Sequence, residues 1–301
     1  METRSECTRS EAATTASHPT TMNDPATIHA VLDDATRSLG ALSESPRLDA
    51  ELLLARVIDM PRSYLFAHPE EPLDAQTVDR FRAVLDRRLA GEPMAYITGI
   101  REFWSLELMV TPATLVPRPE TELLVDLALR EIPRHADWNI LDLGAGSGAI
   151  ALAIAKERPL SRVTATDISA EALEVARQNA RQLEIPDIEF LAGDWTEPVR
   201  GRTFNVIVSN PPYVCSGDEA LDALHCEPRS ALSAGEDGLD AIRILARDCG
   251  ALLEPGGVLL IEHGAEQRDG VAATLQEHGW SDITCHTDYA GLPRVTVARR
   301  G

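Results

Sequence analysis

From about Asp137 onward the chain alternates short apolar runs with helical patterns, and this alternation restricts the fold more than any other feature of the sequence. The runs fall at Asn139–Leu143, Arg162–Thr166, Ile188–Leu191, Phe204–Ser209, Val258–Glu262, Ile283–Thr287 and Arg294–Ala298. Each reads as a buried strand, and most are followed by a helical period. Strands joined through helices make right-handed crossovers, so the sheet is predicted to be mostly parallel and covered on both faces. Only Asp288 to Pro293 separates the last two runs, too short for a crossover, which predicts an antiparallel final strand. The fold class is therefore α/β, a Rossmann-like sheet, and it carries an N-terminal helical addition.

That addition spans roughly Pro25 to Glu92. Ile28, Val31, Leu32, Ala35 and Leu39 recur at helical spacing before the stop signal Gly40. Pro46 occupies a first-turn position ahead of Leu52, Leu53, Val57 and Ile58. A third stripe, Val78, Phe81, Leu85 and Leu89, ends at Gly91-Glu92-Pro93. Together these predict a small helical bundle. Between it and the α/β part, residues 93–116 change period: Trp104, Leu106, Leu108 and Val110 alternate, predicting a linking hairpin with its turn near Thr98-Gly99. Pro112, Pro117 and Pro119 then stiffen the approach to a helix from about Thr121. The domains expected are thus a tail over 1–24, a bundle over 25–92, a hairpin over 93–116 and the α/β domain over 117–301. The tail, Met1 to Asp24, is polar and lacks the apolar core of a secretory signal, and Met22 is an alternative start.

Composition narrows the function classes. With 28 basic against 48 acidic side chains the net charge is −20, so a phosphate backbone meets a repelling average surface. No apolar run reaches the roughly 18–20 residues of a membrane span. Cys7, Cys215, Cys226, Cys249 and Cys285 form no CxxC pair, and the eight histidines show no ligand spacing. The expectation is a reduced, cytoplasmic, monomeric protein without a metal, a membrane anchor or a direct nucleic-acid partner.

The chemistry concentrates at strand ends. Asp142-Leu143-Gly144-Ala145-Gly146-Ser147-Gly148 follows the first strand of the α/β part and opens the apolar helix Ala149–Ala155. Glycines let the chain turn sharply and bring backbone N–H groups against a ligand. A glycine-rich turn by itself is often only a tight βα connection. Here a carboxylate, Asp142, stands two residues before the first glycine; it would repel a pyrophosphate but suits the ammonium of a methionine moiety. Asp167, 23 residues after Gly144, closes the next strand, where an acid can accept both ribose hydroxyls. Asp194 with Trp195 follows the third, placed to accept an adenine amino group and to cover the ring. Ser147 is equally suited to capping the helix or touching the ligand.

Asn210-Pro211-Pro212-Tyr213 follows the strand that contains Val206, Ile207 and Val208. Consecutive prolines fix φ and remove N–H donors. The Asn210 side-chain oxygen and the Pro211 carbonyl are then two acceptors for the two hydrogens of a planar NH₂ group. Such a grip aligns the nitrogen with a methyl sulfonium and stabilises charge as it develops. Tyr213 can stack on the amide or ring plane. An amide or aromatic amine has a delocalised lone pair and is a poor nucleophile. Accepting both hydrogens draws it toward tetrahedral geometry, without a strong base.

At these residues the chain resembles the release factor glutamine methyltransferases (the PrmC or HemK family), over roughly Pro25 to Arg299. The likeness rests on the Asn210–Tyr213 tetrapeptide, Tyr96-Ile97-Thr98-Gly99, Glu102-Phe103 and Pro117-Arg118-Pro119-Glu120-Thr121-Glu122. It rests further on Asp142 to Ile150, on Asp194-Trp195 and on Glu227-Pro228-Arg229-Ser230-Ala231-Leu232. The resemblance implies a class I methyltransferase domain, S-adenosylmethionine as methyl donor and, as acceptor, the glutamine in the Gly-Gly-Gln loop of class I peptide-chain release factors. It also implies cofactor contacts at Gly144 to Gly148, Asp167, Trp195 and Asn210, and substrate contacts at Asn210, Pro211, Pro212 and Tyr213. Two departures stand out: Ser105 where the family often has Gly, and Asn205 where it often has Asp. The helical bundle then reads as a docking module for the protein substrate, with a stabilising cap as the other reading. The acidic loop Val214 to Glu227 either orders on the release factor or remains a mobile surface loop.

Two rivals share parts of this pattern. An adenine-N6 methyltransferase acting on DNA or RNA uses the same tetrapeptide, but needs a basic surface or base-flipping aromatics, against 4% aromatics and a strongly acidic chain here. A catalytically dead scaffold would keep the cofactor loop and lose the acceptor motif, which is intact.

Overall fold

The computed structural model describes residues 26–185 and 187–300. The predicted tail, with Cys7, Met22 and Pro25, lies outside them. The chain divides into two compact units that part between Ala83 and Val84, inside a helix.

The first unit is helical: α1 (Ile28–Leu39), α2 (Pro46–Ile58), α3 (Arg62–Ala67) and the greater part of α4 (Ala75–Leu89). The stripe read from the sequence is the buried one, Ile28, Leu32, Ala35 and Leu39 each being at most 1% exposed. Thr27 caps α1 by accepting from the Ala30 N–H, satisfying one of the helix's unpaired donors. Pro46 stands in the first turn of α2, as its missing N–H allows. Within this unit Glu51 is buried and accepts from Arg47 and Arg62. The short helix α3 has no apolar period long enough to announce it, and the sequence reading left it out.

The second unit begins with the end of α4, a single-turn helix α5 (Met94–Thr98) and the antiparallel pair β1 (Ile100–Phe103) and β2 (Leu106–Met109). The hairpin turn is therefore Trp104-Ser105, and the expectation of a turn at Thr98-Gly99 is corrected. Gly99, at φ 78°, ends α5 instead. Trp104 and Ser105 both sit at φ 53°, the left-handed pair of a type I′ turn. Such turns are normally announced by Asn-Gly or Gly-Gly, so Trp-Ser gave no signal. The alternation itself holds: Leu106, Leu108 and Val110 are buried.

A 3₁₀ turn, Pro119–Thr121, leads into α6 (Glu122–Glu131). The sheet follows: β3 (Asn139–Leu143), α7 (Ala149–Glu157), β4 (Arg162–Asp167), α8 (Ala170–Gln182), β5 (Ile188–Ala192), β6 (Phe204–Ser209), α9 (Ala220–Ala223), α10 (Asp240–Asp248), β7 (Leu253–Glu262), α11 (Arg268–Glu277), β8 (Trp280–Thr287) and β9 (Pro293–Arg300). The strand order is β5-β4-β3-β6-β7-β9-β8. Five strands are parallel, and β9 runs antiparallel to both β7 and β8. Alternate residues of each strand feed opposite cores. Ile140, Val206, Val208 and Leu260 face α6, α7, α8 and the hairpin, whereas Leu141, Leu143, Ile207 and Ile261 face α10 and α11. Both faces being covered, the central strands read as continuous apolar runs, whereas the edge strands β5 and β8 are partly exposed.

The direction of winding reverses between β3 and β6. That reversal opens a crevice at the carboxyl ends of the strands, the place where open α/β sheets bind ligands.

Candidate functional site

Asp142, Asp167, Asp194 and Asn210 stand at or just beyond the carboxyl ends of β3, β4, β5 and β6. Four motifs dispersed over 69 residues of sequence are thereby gathered on one edge of the sheet. They surround a cavity of about 620 Å³, whose wall includes Gly144, Gly146, Asp167, Asp194, Trp195, Asn210 and Pro212. Such a volume lies within the roughly 300–1,000 Å³ of small-molecule sites. Asp142, Ala145, Ser147, Gly148, Pro211 and Tyr213 are not part of that wall.

Gly144, Gly146 and Gly148 all take positive φ, at 79°, 55° and 83°. The three have different local reasons. A Cβ on Gly146 would meet nothing within 4 Å, leaving its backbone open to a ligand, whereas one on Gly148 would press at 3.1 Å on the Ala176 Cβ of α8. Gly148 is thus a packing glycine, and Gly144 lets the loop fold back, its N–H and that of Ala145 both donating to the Thr166 carbonyl. Ser147 is buried, and its carbonyl accepts from Asn179.

Asp167 clamps this loop. One carboxylate oxygen accepts from the Gly146 N–H at 2.8 Å and the other from the Ser169 N–H at 2.8 Å. It keeps lone pairs toward the cavity it lines, because each oxygen can accept more than once. Behind the loop Asp142 is fully buried. One of its oxygens accepts from the Ala151 N–H at 3.1 Å, and the other has no protein donor. Burial raises its pKa to about 7; the Ala151 bond opposes the shift and the Asp167 charge adds to it. Trp195, at φ 42°, holds a conformation that a bulky side chain rarely accepts. Its carbonyl is tied by the Thr166 hydroxyl, and its ring lies against Gly144.

At the other end of the cavity the Asn210 Nδ2 donates to the Thr121 hydroxyl at 3.1 Å. No donor among the described residues takes the Asn210 Oδ1, nor the carbonyls of Pro211 and Pro212. Beside them lies Glu262, the last residue of β7, buried with neither oxygen closing a hydrogen bond of good geometry. Burial pushes its pKa up to about 7, against the Thr121 hydroxyl, Arg294 and the Asn210 amide, which favour the charged form. Tyr213 sits in the same surroundings. Burial first, then Glu262, pushes its phenol up to about 12, while Arg294 and Arg118 pull it down.

Several supporting residues have roles visible only in three dimensions, and of these Asn179, Gln267 and Gly238 carried no motif signal. Asn179 of α8 is fully buried and binds the Met109 N–H, the Met109 carbonyl and the Ser147 carbonyl, joining the hairpin to the glycine loop. Gln267 donates to the Tyr213 carbonyl at 2.9 Å and accepts from the Gly264 N–H. Gly238, at φ 72°, lets that segment close, since a Cβ there would stand 2.3 Å from the Tyr213 carbonyl oxygen. Glu227 is buried, accepts from the Val116 N–H at 3.0 Å and pairs with Arg118. The two segments 117–122 and 227–232 are therefore one structural unit, and the end of the acidic loop is anchored rather than free. Glu262 was the residue with a legible clue, a carboxylate closing an otherwise apolar strand.

The residues fit a zwitterionic nucleoside. Apolar wall, open glycine backbone and Asp167 lie together, and the orphaned oxygen of Asp142 is a buried acceptor awaiting a donor. The described residues hold no cluster of metal-ligating side chains and no helix long and apolar enough to cross a membrane.

Comparison with known proteins identifies the relatives of the chain. A family model described as the PrmC N-terminal domain matches residues 30–99, and one described as a methyltransferase small domain matches residues 120–237. A release factor glutamine methyltransferase of Coxiella burnetii is 48% identical over 266 residues, covering 88% of this chain and 96% of that protein. One from Vibrio cholerae is 47% identical over 277 residues, covering 91% and 96%. Among solved structures a methyltransferase from Pyrococcus furiosus superposes with a TM-score of 0.52 at 19% identity, over 72% of this chain and 97% of that one. At that identity the likeness speaks for the fold.

Proposed function

This chain belongs to the family of release factor glutamine methyltransferases, and from that premise we propose that it methylates the side-chain nitrogen of the glutamine in the Gly-Gly-Gln loop of class I peptide-chain release factors. Bound in the cavity, S-adenosylmethionine supplies an electrophilic methyl group on a sulfonium. Gly144 and Gly146 leave room for the donor by having no side chain, Asp167 accepts the ribose hydroxyls, and Asp142, buried behind the loop, places negative charge on the side of the ammonium. Trp195 and Asp194 take the adenine end.

The observation that carries the acceptor role is the state of Asn210. Its NH₂ is anchored on Thr121, its oxygen takes no donor among the described residues, and the residue lines the same cavity as the glycine loop. With the Pro211 carbonyl it accepts the two hydrogens of the incoming amide, and the grip orients the nitrogen lone pair. A nitrogen–carbon bond forms as the carbon–sulfur bond breaks, and the nitrogen then sheds one proton to water. Positive charge developing on that nitrogen faces two fixed oxygens that need no reorganisation. The relatives' names favour this acceptor over the adenine ring that the same tetrapeptide suits.

The N-terminal helical unit serves to dock the release factor. It exposes the large apolar side chains Leu42, Leu48, Leu52, Met60 and Phe66, which a protein partner can cover.

The test is mass spectrometry of a purified class I release factor after incubation with the protein and S-adenosylmethionine. The expected product carries one added methyl, mapped to the loop glutamine. No gain on any release factor, with the donor still bound by the enzyme, overturns the reading.

A further inference from the structure

An asparagine side chain is nearly symmetric in shape, so sterics scarcely distinguish its two flipped orientations. Only the surrounding donors and acceptors decide which end faces the substrate. Around Asn210 that decision is made by two groups. Thr121 is 4% exposed, and its oxygen accepts from Asn210, so its own proton must point elsewhere. Glu262 is 0% exposed and stands beside Asn210 because the preceding residues, Ile261 and Ser209, are register partners on β7 and β6. It is an acceptor on which no donor closes, with Thr121 and Asn210 both favouring its charged form. A carboxylate there welcomes the NH₂ end of Asn210 and the Thr121 hydroxyl, and repels the carbonyl end.

We infer that Glu262 is a positioning residue for methyl transfer, acting with Thr121 to lock Asn210 in the flip that presents its oxygen to the acceptor cavity; this rests on the acceptor role proposed for Asn210. The lock needs the charged carboxylate. Burial has raised its pKa to about 7, so protonation occurs as the pH falls through that value. The protonated acid donates a hydrogen bond, competes for the Asn210 oxygen and loosens the lock. The charges facing Glu262 are Arg294 of β9, which favours ionisation, and Glu120 of the turn before α6, which opposes it. Tyr213 faces it as a neutral phenol, and burial keeps the neighbouring His263 below its ordinary value. Asp142 titrates in the same range but stands on the donor side, so its effect falls on S-adenosylmethionine affinity rather than on turnover at saturation.

Steady-state kinetics of the full chain with purified release factor and S-adenosylmethionine test this. Glu262→Gln lowers kcat about 10- to 100-fold, as a misplaced catalytic group does, with donor affinity within about threefold. Wild-type kcat falls as the pH drops through about 7, and this limb disappears in Glu262→Gln. Wild-type kcat and an unchanged acid limb in Glu262→Gln, with Asn210→Ala inactive, overturn the inference alone. Full turnover in Asn210→Ala overturns the reading beneath it as well. Should Glu262→Gln fold poorly, the Thr121 pair decides: Thr121→Val loses kcat and Thr121→Ser recovers most of it, whereas equal losses in both refute the lock.

Discussion

Replacing Asp167 by alanine removes the two hydrogen bonds that hold the glycine loop to the start of α8. Both are charge-assisted and 2.8 Å long. Bonds to charged groups are worth roughly 1.5–3 kcal/mol each. Asp167 is half-buried, so water recovers part of that for the exposed amides. The ribose contact proposed for the same carboxylate is lost in addition. A net cost of about 2–4 kcal/mol on donor binding follows, which is roughly 30- to 1,000-fold in Kd. The assay is isothermal titration of S-adenosylmethionine onto the full chain, beside thermal unfolding and kcat at saturating donor. The expected pattern is a large rise in Kd, a modest loss of Tm and a kcat within a few-fold of wild type. Asp167→Asn should do no better than alanine, because its NH₂ end would face a backbone N–H. A Kd changed less than threefold with a collapsed kcat would refute the reasoning and move Asp167 to the acceptor side.

Three further outcomes follow from the same geometry. Asn210→Ala lowers kcat by about 10²-fold or more, the usual cost of removing one oriented hydrogen-bonding group at a reacting centre, with donor affinity nearly unchanged; equal loss in titration and turnover would make Asn210 a cofactor ligand only. Gly238→Ala drives a Cβ to 2.3 Å from the Tyr213 carbonyl oxygen, so kcat/KM for release factor falls about 100-fold while S-adenosylmethionine still binds, and retained turnover would show the segment to be pliable. Ser105→Gly relieves a left-handed residue in the hairpin turn and raises stability by about 1 kcal/mol, read as a higher urea midpoint; a lower midpoint would contradict the turn assignment.

The central strands of the α/β unit were legible because they are buried on both faces, and a run such as Ile140-Leu141 or Val206-Ile207-Val208 has no polar option. The reading of Leu39-Gly40 as a helix end held, with Gly40 closing α1 at a right-handed φ of −55° that any residue can adopt. The hairpin turn was missed because Trp104 and Ser105 are held at positive φ by their surroundings rather than by their own preference. Part of that hold is the Glu122 side chain, which accepts from the Trp104 N–H at 2.8 Å. The roles of Asn179 and Gln267, and the partner of the motif residue Glu227, were invisible for a different reason: each of these side chains bonds to backbone far away in sequence, and no local pattern encodes such a partner.

The sequence by itself determined the alternation, the glycine loop, the carboxylates at strand ends and the Asn-Pro-Pro-Tyr corner, because backbone conformation and burial period are local properties. Only the tertiary structure decided that Asp167 ties the glycine loop to the start of α8, that Thr121 and Glu262 flank Asn210, and that Arg118 and Glu227 tie two remote segments together. Those choices depend on which groups lose water together, and groups remote in sequence lose water together only once the sheet has brought them to one edge.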